Sequence, residues 1–175
     1  LGTAGAAPFA VEWDTSMLPA QQGISVRAEV SFRDDPSLVY VTPAASGLAI
    51  PERPRALVKL YNASEFPPLF RSRVGEKKTA RIDLDTDPAR IEKALLHIVV
   101  WDGGCGTTKN CVSLNGEPLP VAGEGGHNLQ YSILEIDPKK LRRTGNLVEV
   151  LSDTEQHGVE VMLPGPALAV REKLP

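Results

Sequence analysis

The stretch that decides the fold is DPARIEKALLHIVVWDGG, residues 87–104. It opens with Asp87 before Pro88, which is the arrangement of a helix N-cap followed by proline at the first helical position. Within about two turns it passes into the apolar run LLHIVVW, residues 95–101. A short apolar run bounded by turn signals favours a buried strand over a long helix. We expect this run to form a central strand that is covered on both faces.

On either side of this stretch, glycine and proline divide the chain into short segments. The 175 residues include 15 Gly and 15 Pro, and no long window has the uninterrupted periodicity of a helical protein. In GISVRAEVSF, from residue 23, apolar and polar residues alternate as they do in a half-buried strand. The sequence therefore predicts an all-β fold, with strands over residues 24–32, 38–42, 56–61, 79–84, 94–101, 111–114, 131–136, 146–152, 159–163 and 167–171.

The connections between these strands carry recognisable turn signals. The pairs Asp87-Pro88 and Asp137-Pro138 predict single-turn helical connectors. In CVSLNGEPL, residues 111–119, Asn115-Gly116 predicts a two-residue hairpin, because both residues tolerate positive backbone angles. We interpret this hairpin as scaffold that supports the neighbouring segment WDGGCGTTKN, residues 101–110.

A boundary is expected near residues 47–55, where GLAIPERPR concentrates proline and charge. We assign residues 1–50 to an N-terminal β segment and residues 51–175 to a β-sandwich. The stretch from Val11 to Ala44 resembles the last strands of a bacterial immunoglobulin-like domain. An alternative is that these strands extend the same sandwich, since a partial domain would leave its sheet edges open.

From about residue 56 to residue 172 the order of features resembles the galactose-binding-domain-like jelly rolls of secreted polysaccharide-degrading enzymes. The resemblance rests on DPARIEKALLHIVVWDGG, on VSLNGEPL, on YSILEIDPKKLRRTGNLVEVL and on the closing HGVEVMLPGPALAVR. It implies a jelly-roll β-sandwich that acts as a carbohydrate-binding or accessory module, with ligand at the loops of one end. A structural calcium site is common among such modules.

Charge and length exclude several functional classes. The formal net charge is −3, whereas nucleic-acid and anionic-membrane surfaces need concentrated Lys and Arg. The cluster of Lys139, Lys140, Arg142 and Arg143 is interpreted as a solvated face. No run of about 20 apolar residues exists, so we expect no membrane span. Because the chain starts at Leu1 without a signal-peptide core, we expect it to be a processed or excised piece of a longer protein.

The two cysteines point to an oxidising compartment. Cys105 and Cys111 do not have the spacing of a Cys-x-x-Cys redox pair, and they are too few for a four-ligand zinc site. A disulfide is the simplest interpretation, and it predicts a secreted or extracellular protein. The sequon Asn62-Ala63-Ser64 is a candidate N-glycosylation site, or else a plain turn.

Sugar binding requires aromatic faces beside short polar side chains. Trp101 and Asp102 follow the central strand, where they would place an indole and a carboxylate on a loop rim. They are our candidate carbohydrate-binding residues. The alternative is that Trp101 covers the core, and Tyr61 and Tyr131 are interpreted as core or edge residues.

The histidines and acidic residues give weaker hypotheses. His97 lies within the apolar run and is interpreted as a neutral, hydrogen-bonded core residue. His127 and His157 could form a metal site with a carboxylate if their strands pair. Asp83, Asp85 and Asp87 alternate in DLDTD, which is either a calcium site or a solvated acidic turn.

No catalytic motif accompanies these features. The chain lacks the nucleophile-elbow, P-loop and dinucleotide-binding glycine patterns, and no pair of its 22 acids is distinctive. We therefore predict a non-catalytic carbohydrate-binding or accessory module without a cofactor, with a glycan and other domains of the parent chain as partners. The alternatives are a structural or protein-interaction sandwich and a metal-dependent hydrolase that uses His127 and His157.

Overall fold

The computed structural model describes residues 1–123 and 125–175. The described residues form strands and turns, with 3₁₀ turns at Pro88–Arg90 and Pro138–Lys140 as the helical segments. The prediction of an all-β fold with single-turn helices is thus confirmed. The strands are β1 (Gln21–Val26), β2 (Glu29–Ser31), β3 (Val39–Val41), β4 (Ala45–Ile50), β5 (Ala56–Asn62), β6 (Arg71–Ser72), β7 (Lys78–Ile82), β8 (Ile91–Gly103), β9 (Val112–Leu114), β10 (Glu117–Leu119), β11 (Asn128–Ile136), β12 (Asn146–Val150), β13 (Gly158–Val161) and β14 (Ala167–Lys173).

The chain separates into two compact units, Leu1–Pro54 and Arg55–Pro175. In the first unit, β1 pairs with β4 and β2 pairs with β3, in both cases antiparallel. The single strand predicted over residues 24–32 is wrong, because the chain changes its pairing partner after Val26, from β4 to β3. The predicted half-burial holds at Ile24 and Val26, which are partly buried, but fails at Ala28 and Val30, which are exposed.

The second unit is a sandwich of two antiparallel sheets. The smaller sheet has the strand order β10-β9-β12-β7, and the larger has the order β5-β14-β8-β13-β6, with β11 also paired to β8. Strand β8 is 13 residues long. It pairs with β11 along one side and with β14 and then β13 along the other. The central position predicted for this strand is therefore confirmed.

The core lies between the two sheets. From β8 the inward set is Ala94, Leu96, Ile98 and Val100, all of which are at most 1% exposed. They belong to one cluster with side chains of the facing sheet that are just as deeply buried: Ile82, Val112, Val148 and Val150. Alternation along each strand thus directs one set of apolar side chains into a shared core.

The outer face of β8 is not covered as predicted. Leu95, His97, Val99 and Trp101 are only half-buried, while the inward set between them is fully buried. The paired edge strand β11 adds Leu129, Tyr131 and Ile133 to the same face, and these are 52–62% exposed. The expectation of a strand covered on both faces was wrong because an apolar run does not by itself reveal whether a second layer covers its outer side.

The predicted turns are confirmed. Asn115 and Gly116 have φ values of 53° and 85° and join β9 to β10 as a two-residue hairpin. The carboxylates of Asp87 and Asp137 accept from the backbone N–H two residues on, each at 3.0 Å, and so cap the two 3₁₀ turns. No helix among the described residues is long and apolar enough to cross a membrane.

Candidate functional site

The candidate site is built around Trp101, on the outer face near the end of β8. Trp101 lies directly opposite Leu129 of β11 and Glu160 of β13 in the strand register. Directly paired residues of antiparallel strands project from the same face. The indole therefore lies on an open sheet surface between an apolar and an acidic side chain.

A glycine pair provides the space for the indole. Gly103 and Gly158 face each other in the register of β8 and β13. A Cβ on Gly103 would collide with the carbonyl oxygen of Gly158, the Trp101 ring and the side chain of His157. The Trp101 ring consequently lies over Gly103, where the two backbones approach closely.

Two histidines pack against the indole. The ring centroids of His127 and His157 lie 5.5 and 5.7 Å from that of Trp101, and 4.7 Å from each other. Each histidine has a positive φ and immediately precedes a strand that pairs with β8. The N–H of His127 also donates to the carbonyl oxygen of Asp102 at 2.8 Å. The loops that enter β11 and β13 thus converge at one end of the sheet.

A groove of about 610 Å³ opens beside this aromatic cluster. Trp101 and Leu129 line it from the long strands, and Arg71 lies opposite Glu160 in the pairing of β6 with β13. The other described lining residues are Arg73, Gln156, His157 and Met162. The site therefore combines one indole with cationic, anionic and amide side chains, which can hydrogen-bond to hydroxyl or acidic groups of a ligand.

The structure places Asp102 away from this groove. Its side chain is 0% exposed and belongs to the inward set of β8. One carboxylate oxygen accepts from the N–H of Gly104 and the other from the N–H of Gly123, both at 3.0 Å. A buried carboxylate held in this way does not reach a surface ligand, so the predicted rim role of Asp102 is replaced by a loop-fixing role.

The disulfide between Cys105 and Cys111 is confirmed, with the two Cα atoms 5.6 Å apart. Within the loop that it closes, the N–H of Thr107 donates to a carboxylate oxygen of Asp153 at 2.7 Å. The hydroxyl of Thr107 also donates to this carboxylate, and it is this contact first, and the backbone contact second, that keeps the pKa of Asp153 below its usual range. The loop fixes the segment that precedes His157, but none of the described groove residues comes from it.

The predicted metal sites are not assembled among residues 1–123 and 125–175. His127 and His157 do come together, yet no group of three or more His, Cys, Asp or Glu in that part of the chain could hold a metal ion. The acids of DLDTD have separate partners. Asp83 accepts from Arg81, Asp85 from Lys59 and Tyr61, and Asp87 caps a 3₁₀ turn. The contacts of Tyr61 and Lys59 lower the pKa of Asp85 to about 2.

Two other residues singled out in the sequence, His97 and Asn62, lie outside the groove. His97 lies on the outer face, where its Nδ1 and the hydroxyl of Tyr131 share a hydrogen bond of 2.6 Å. The predicted hydrogen bond is present and partial burial lowers the pKa of His97, which favours the neutral ring. His97 is not a core residue, however, because it lies on the outer face. Asn62 is exposed at the end of β5, and its glycosylation stays a prediction.

Solved structures of carbohydrate-active enzymes resemble this fold. A β-porphyranase of glycoside hydrolase family 86 from the human gut bacterium Bacteroides plebeius aligns over 92% of this chain, with a TM-score of 0.50 and 16% identity. BuGH86 in complex with neoagarooctaose aligns over 90%, with a TM-score of 0.51 and 10% identity. This chain spans only 31% and 28% of those two proteins. At this level of identity the likeness shows a shared fold.

Comparison of sequences identifies no relative. No protein-family model matches the chain, and no curated protein matches it. The galactose-binding-like assignment therefore stays a prediction, since a shared fold does not determine function.

Sequence reasoning identified Trp101 but missed most of the groove. Arg71, Arg73 and Gln156 lie in segments without a strong strand or motif signal. They reach Trp101 only because β13 pairs with both β8 and β6. The one local signal was the alternation Arg71-Ser72-Arg73, which places both arginines on the same side of an extended chain.

Proposed function

We propose that this chain is a non-catalytic, glycan-binding accessory module of a larger extracellular carbohydrate-active protein, built as a galactose-binding-like jelly roll. The observation that carries the proposal is the open groove with Trp101 at its wall and polar side chains around it. A half-exposed indole can stack on the apolar face of a pyranose ring. Arg71 and Gln156 would then form hydrogen bonds with the sugar's substituents.

A binding role fits the chemistry of the groove better than catalysis does. Glycoside hydrolysis ordinarily uses two carboxyl groups that flank the scissile bond. Among the described residues that line the groove, Glu160 is the only acid. Asp102, the acid next to Trp101 in sequence, is buried on the opposite side of the sheet.

Two further findings support the extracellular and accessory parts of the proposal. The Cys105–Cys111 disulfide is typical of proteins from oxidising compartments. The similar solved structures belong to glycoside hydrolases of which this chain spans less than a third. A glycan-binding module attached to a catalytic domain would share both properties.

Affinity electrophoresis and intrinsic fluorescence together test the proposal. The gels would contain agarose or porphyran, the polysaccharide classes suggested by the similar structures. The chain has two tryptophans, so the Trp13→Phe variant leaves Trp101 as the single reporter of binding. We expect retardation of the wild type, a ligand-dependent shift in Trp101 emission, and at least a tenfold loss of affinity for Trp101→Ala.

Trp13→Ala is the matched control, because it removes the same side chain from the other compact unit. It should bind as the wild type does. If no polysaccharide retards the wild type more than it retards Trp101→Ala, the glycan-binding proposal fails.

A second candidate function, a docking sandwich for another domain of the parent chain, is favoured by the apolar outer edge. Leu129, Tyr131 and Ile133 are exposed on one face of β11, and among the described residues this strand pairs with β8 alone. Hydrogen exchange along β11 would test it, with this chain measured alone and within a polypeptide that carries adjoining domains. Protection that increases only in the longer polypeptide supports docking, and equal protection excludes it.

A further inference from the structure

The groove concentrates positive charge within an acidic chain. Arg71 and Arg73 both line it, and Glu160 is the only acid among its described lining residues. The chain as a whole has a formal net charge of −3. A local excess of guanidinium groups on an acidic protein favours an anionic ligand at that place.

The guanidinium groups of Arg71 and Arg73 form no ion pair within the described part of the chain. Arg81 and Arg171 of the same unit are paired, since Arg81 lies 2.9 Å from Asp83 and Arg171 lies 3.2 Å from Glu92. Arg71 is opposite Glu160 in the register, yet no ion pair within 4.0 Å joins either groove arginine to a described acid. Their donors are therefore available to a ligand.

The backbone beneath the arginines is held firmly in place. Ser72, between them, is 0% exposed. Its hydroxyl donates to the carbonyl oxygen of Glu76 at 2.6 Å and accepts from the N–H of Ser152 at 2.7 Å. The N–H of Val74 donates to the carbonyl oxygen of Thr154 at 2.8 Å. The segment that carries the arginines is thus tied to the one that leads to His157, which reduces the ordering needed on binding.

We infer that the groove binds an anionic saccharide, with a sulfate ester or carboxylate on Arg71 and Arg73 and the adjacent sugar ring on Trp101. This inference rests on the proposed glycan-binding function and specifies its ligand class. Guanidinium groups bind such anions through charge-assisted, often bidentate hydrogen bonds. The indole recognises the sugar ring, and the arginines recognise its acidic substituent.

Replacement of Glu160 should increase the affinity for an anionic ligand, whereas replacement of the arginines should decrease it. The Glu160 carboxylate lies across the register from both Arg71 and Trp101, so it repels an anionic ligand. Replacing it with glutamine removes the negative charge and keeps a similar shape. The Glu160→Gln variant should therefore bind an anionic saccharide more tightly than the wild type, whereas loss of groove structure would weaken binding.

The experiment compares three ligands by isothermal titration calorimetry: neutral agarose oligosaccharides, a sulfated galactan and oligogalacturonate. We expect the sulfated galactan, the oligogalacturonate or both to bind at least tenfold more tightly than the neutral ligand. The Arg71→Gln/Arg73→Gln double variant should lose at least tenfold affinity for the charged ligand. Arg143→Gln, which removes an exposed cation outside the groove, is the matched control and should bind normally.

The outcomes separate this inference from the function on which it rests. Binding to the sulfated ligand alone identifies the sulfate ester as the recognised group, and binding to both charged ligands identifies negative charge in general. If neutral and charged ligands bind equally and the double variant is unchanged, the inference is overturned while glycan binding stands. Charged-ligand binding that Trp101→Ala leaves intact would be polyanion adsorption and would also overturn it. If Trp101-dependent binding of every glycan is absent, the proposed function itself fails.

Discussion

At the scale of single residues, Asn146 joins three segments of the sandwich through one buried amide. It is 0% exposed. Its carbonyl oxygen accepts from the N–H of Arg142 at 2.8 Å and from the side-chain amide of Asn115 at 3.0 Å. Its amide nitrogen donates to the carbonyl oxygens of Ile82 and Arg142, at 3.0 and 2.7 Å. The hairpin at Asn115-Gly116 is therefore fixed by a residue far away in the sequence.

Replacing Asn146 with alanine should destabilise the sandwich strongly. The change removes four hydrogen bonds and leaves buried backbone groups without partners, so we expect the free energy of unfolding to fall by about 3 kcal/mol. Urea denaturation followed by circular dichroism measures this. Asn128→Ala, the same change at an exposed position, should alter stability by less than about 0.5 kcal/mol. Equal effects of the two variants would contradict the assigned role of Asn146.

His97 makes stability depend on pH. Partial burial on the outer face lowers its folded-state pKa below the usual value of 6.5. The unfolded chain therefore binds the proton more readily than the folded chain as the pH falls below about 6.5. The His97 contribution to stability is complete above that pH and is lost progressively towards the lower, folded-state pKa.

The measurement is the difference in unfolding free energy between wild type and His97→Gln across pH 7.5 to 4.5. Because glutamine does not titrate in this range, we expect the wild type to lose more stability than the variant below about pH 6.5. His157→Gln is a control, since it removes a histidine elsewhere on the sheet. Parallel pH profiles for wild type and His97→Gln would refute the prediction.

At the scale of elements, the sequence predicted strands well where local chemistry determines them. The Asp-Pro caps at Asp87 and Asp137 and the Asn115-Gly116 hairpin were all correct, because each depends on neighbouring residues. Strand β4 (Ala45–Ile50) was missed within a segment read as a boundary. The two-residue strand β6 was missed because it exists only through its pairing with β13.

The candidate site was harder to predict, because it too depends on pairing between strands that are distant in the sequence. Trp101 was identified because it ends the apolar run of β8. The adjacent Asp102 was assigned to the rim, but residues that are neighbours in a strand project to opposite faces, and its side chain is buried inward. Arg71 and Arg73 join the groove through long-range pairing, which no local pattern reveals.

We expect the disulfide between Cys105 and Cys111 to contribute to the stability of the fold but not to ligand binding. Closing the short loop between Cys105 and Cys111 restricts the unfolded chain, so the Cys105→Ser/Cys111→Ser variant should lose about 2 kcal/mol of unfolding free energy. Because the loop supplies none of the described groove residues, binding measured by Trp101 fluorescence should change less than threefold. Wild type treated with a reductant is the matched control and should match the double variant. Unchanged stability would show that the loop does not constrain the unfolded chain.

At the scale of the whole molecule, the larger sheet presents two different surfaces on its outer side. One end carries the indole, Leu129 and the arginines of the groove, whereas Tyr131 and Ile133 are exposed farther along β11. The first suits a polar, ring-shaped ligand, and the second suits an apolar protein surface. The accessory role that we propose would use both surfaces, the first for a glycan and the second for a neighbouring domain.

The two compact units should differ in their ability to fold alone. Every member of the main core cluster lies between Ala63 and Val170, so we expect the fragment 55–175 to fold and unfold cooperatively. The unit Leu1–Pro54 contains two separate two-stranded pairs, with Met17 and Ile50 as its buried hydrophobic side chains. Isolated two-stranded pairs are marginally stable in water, so the fragment 1–54 should be largely unfolded by itself. Far-ultraviolet circular dichroism and amide NMR dispersion measure both fragments. A fragment 55–175 with a narrow amide spectrum would show that its core is insufficient without the residues that precede it.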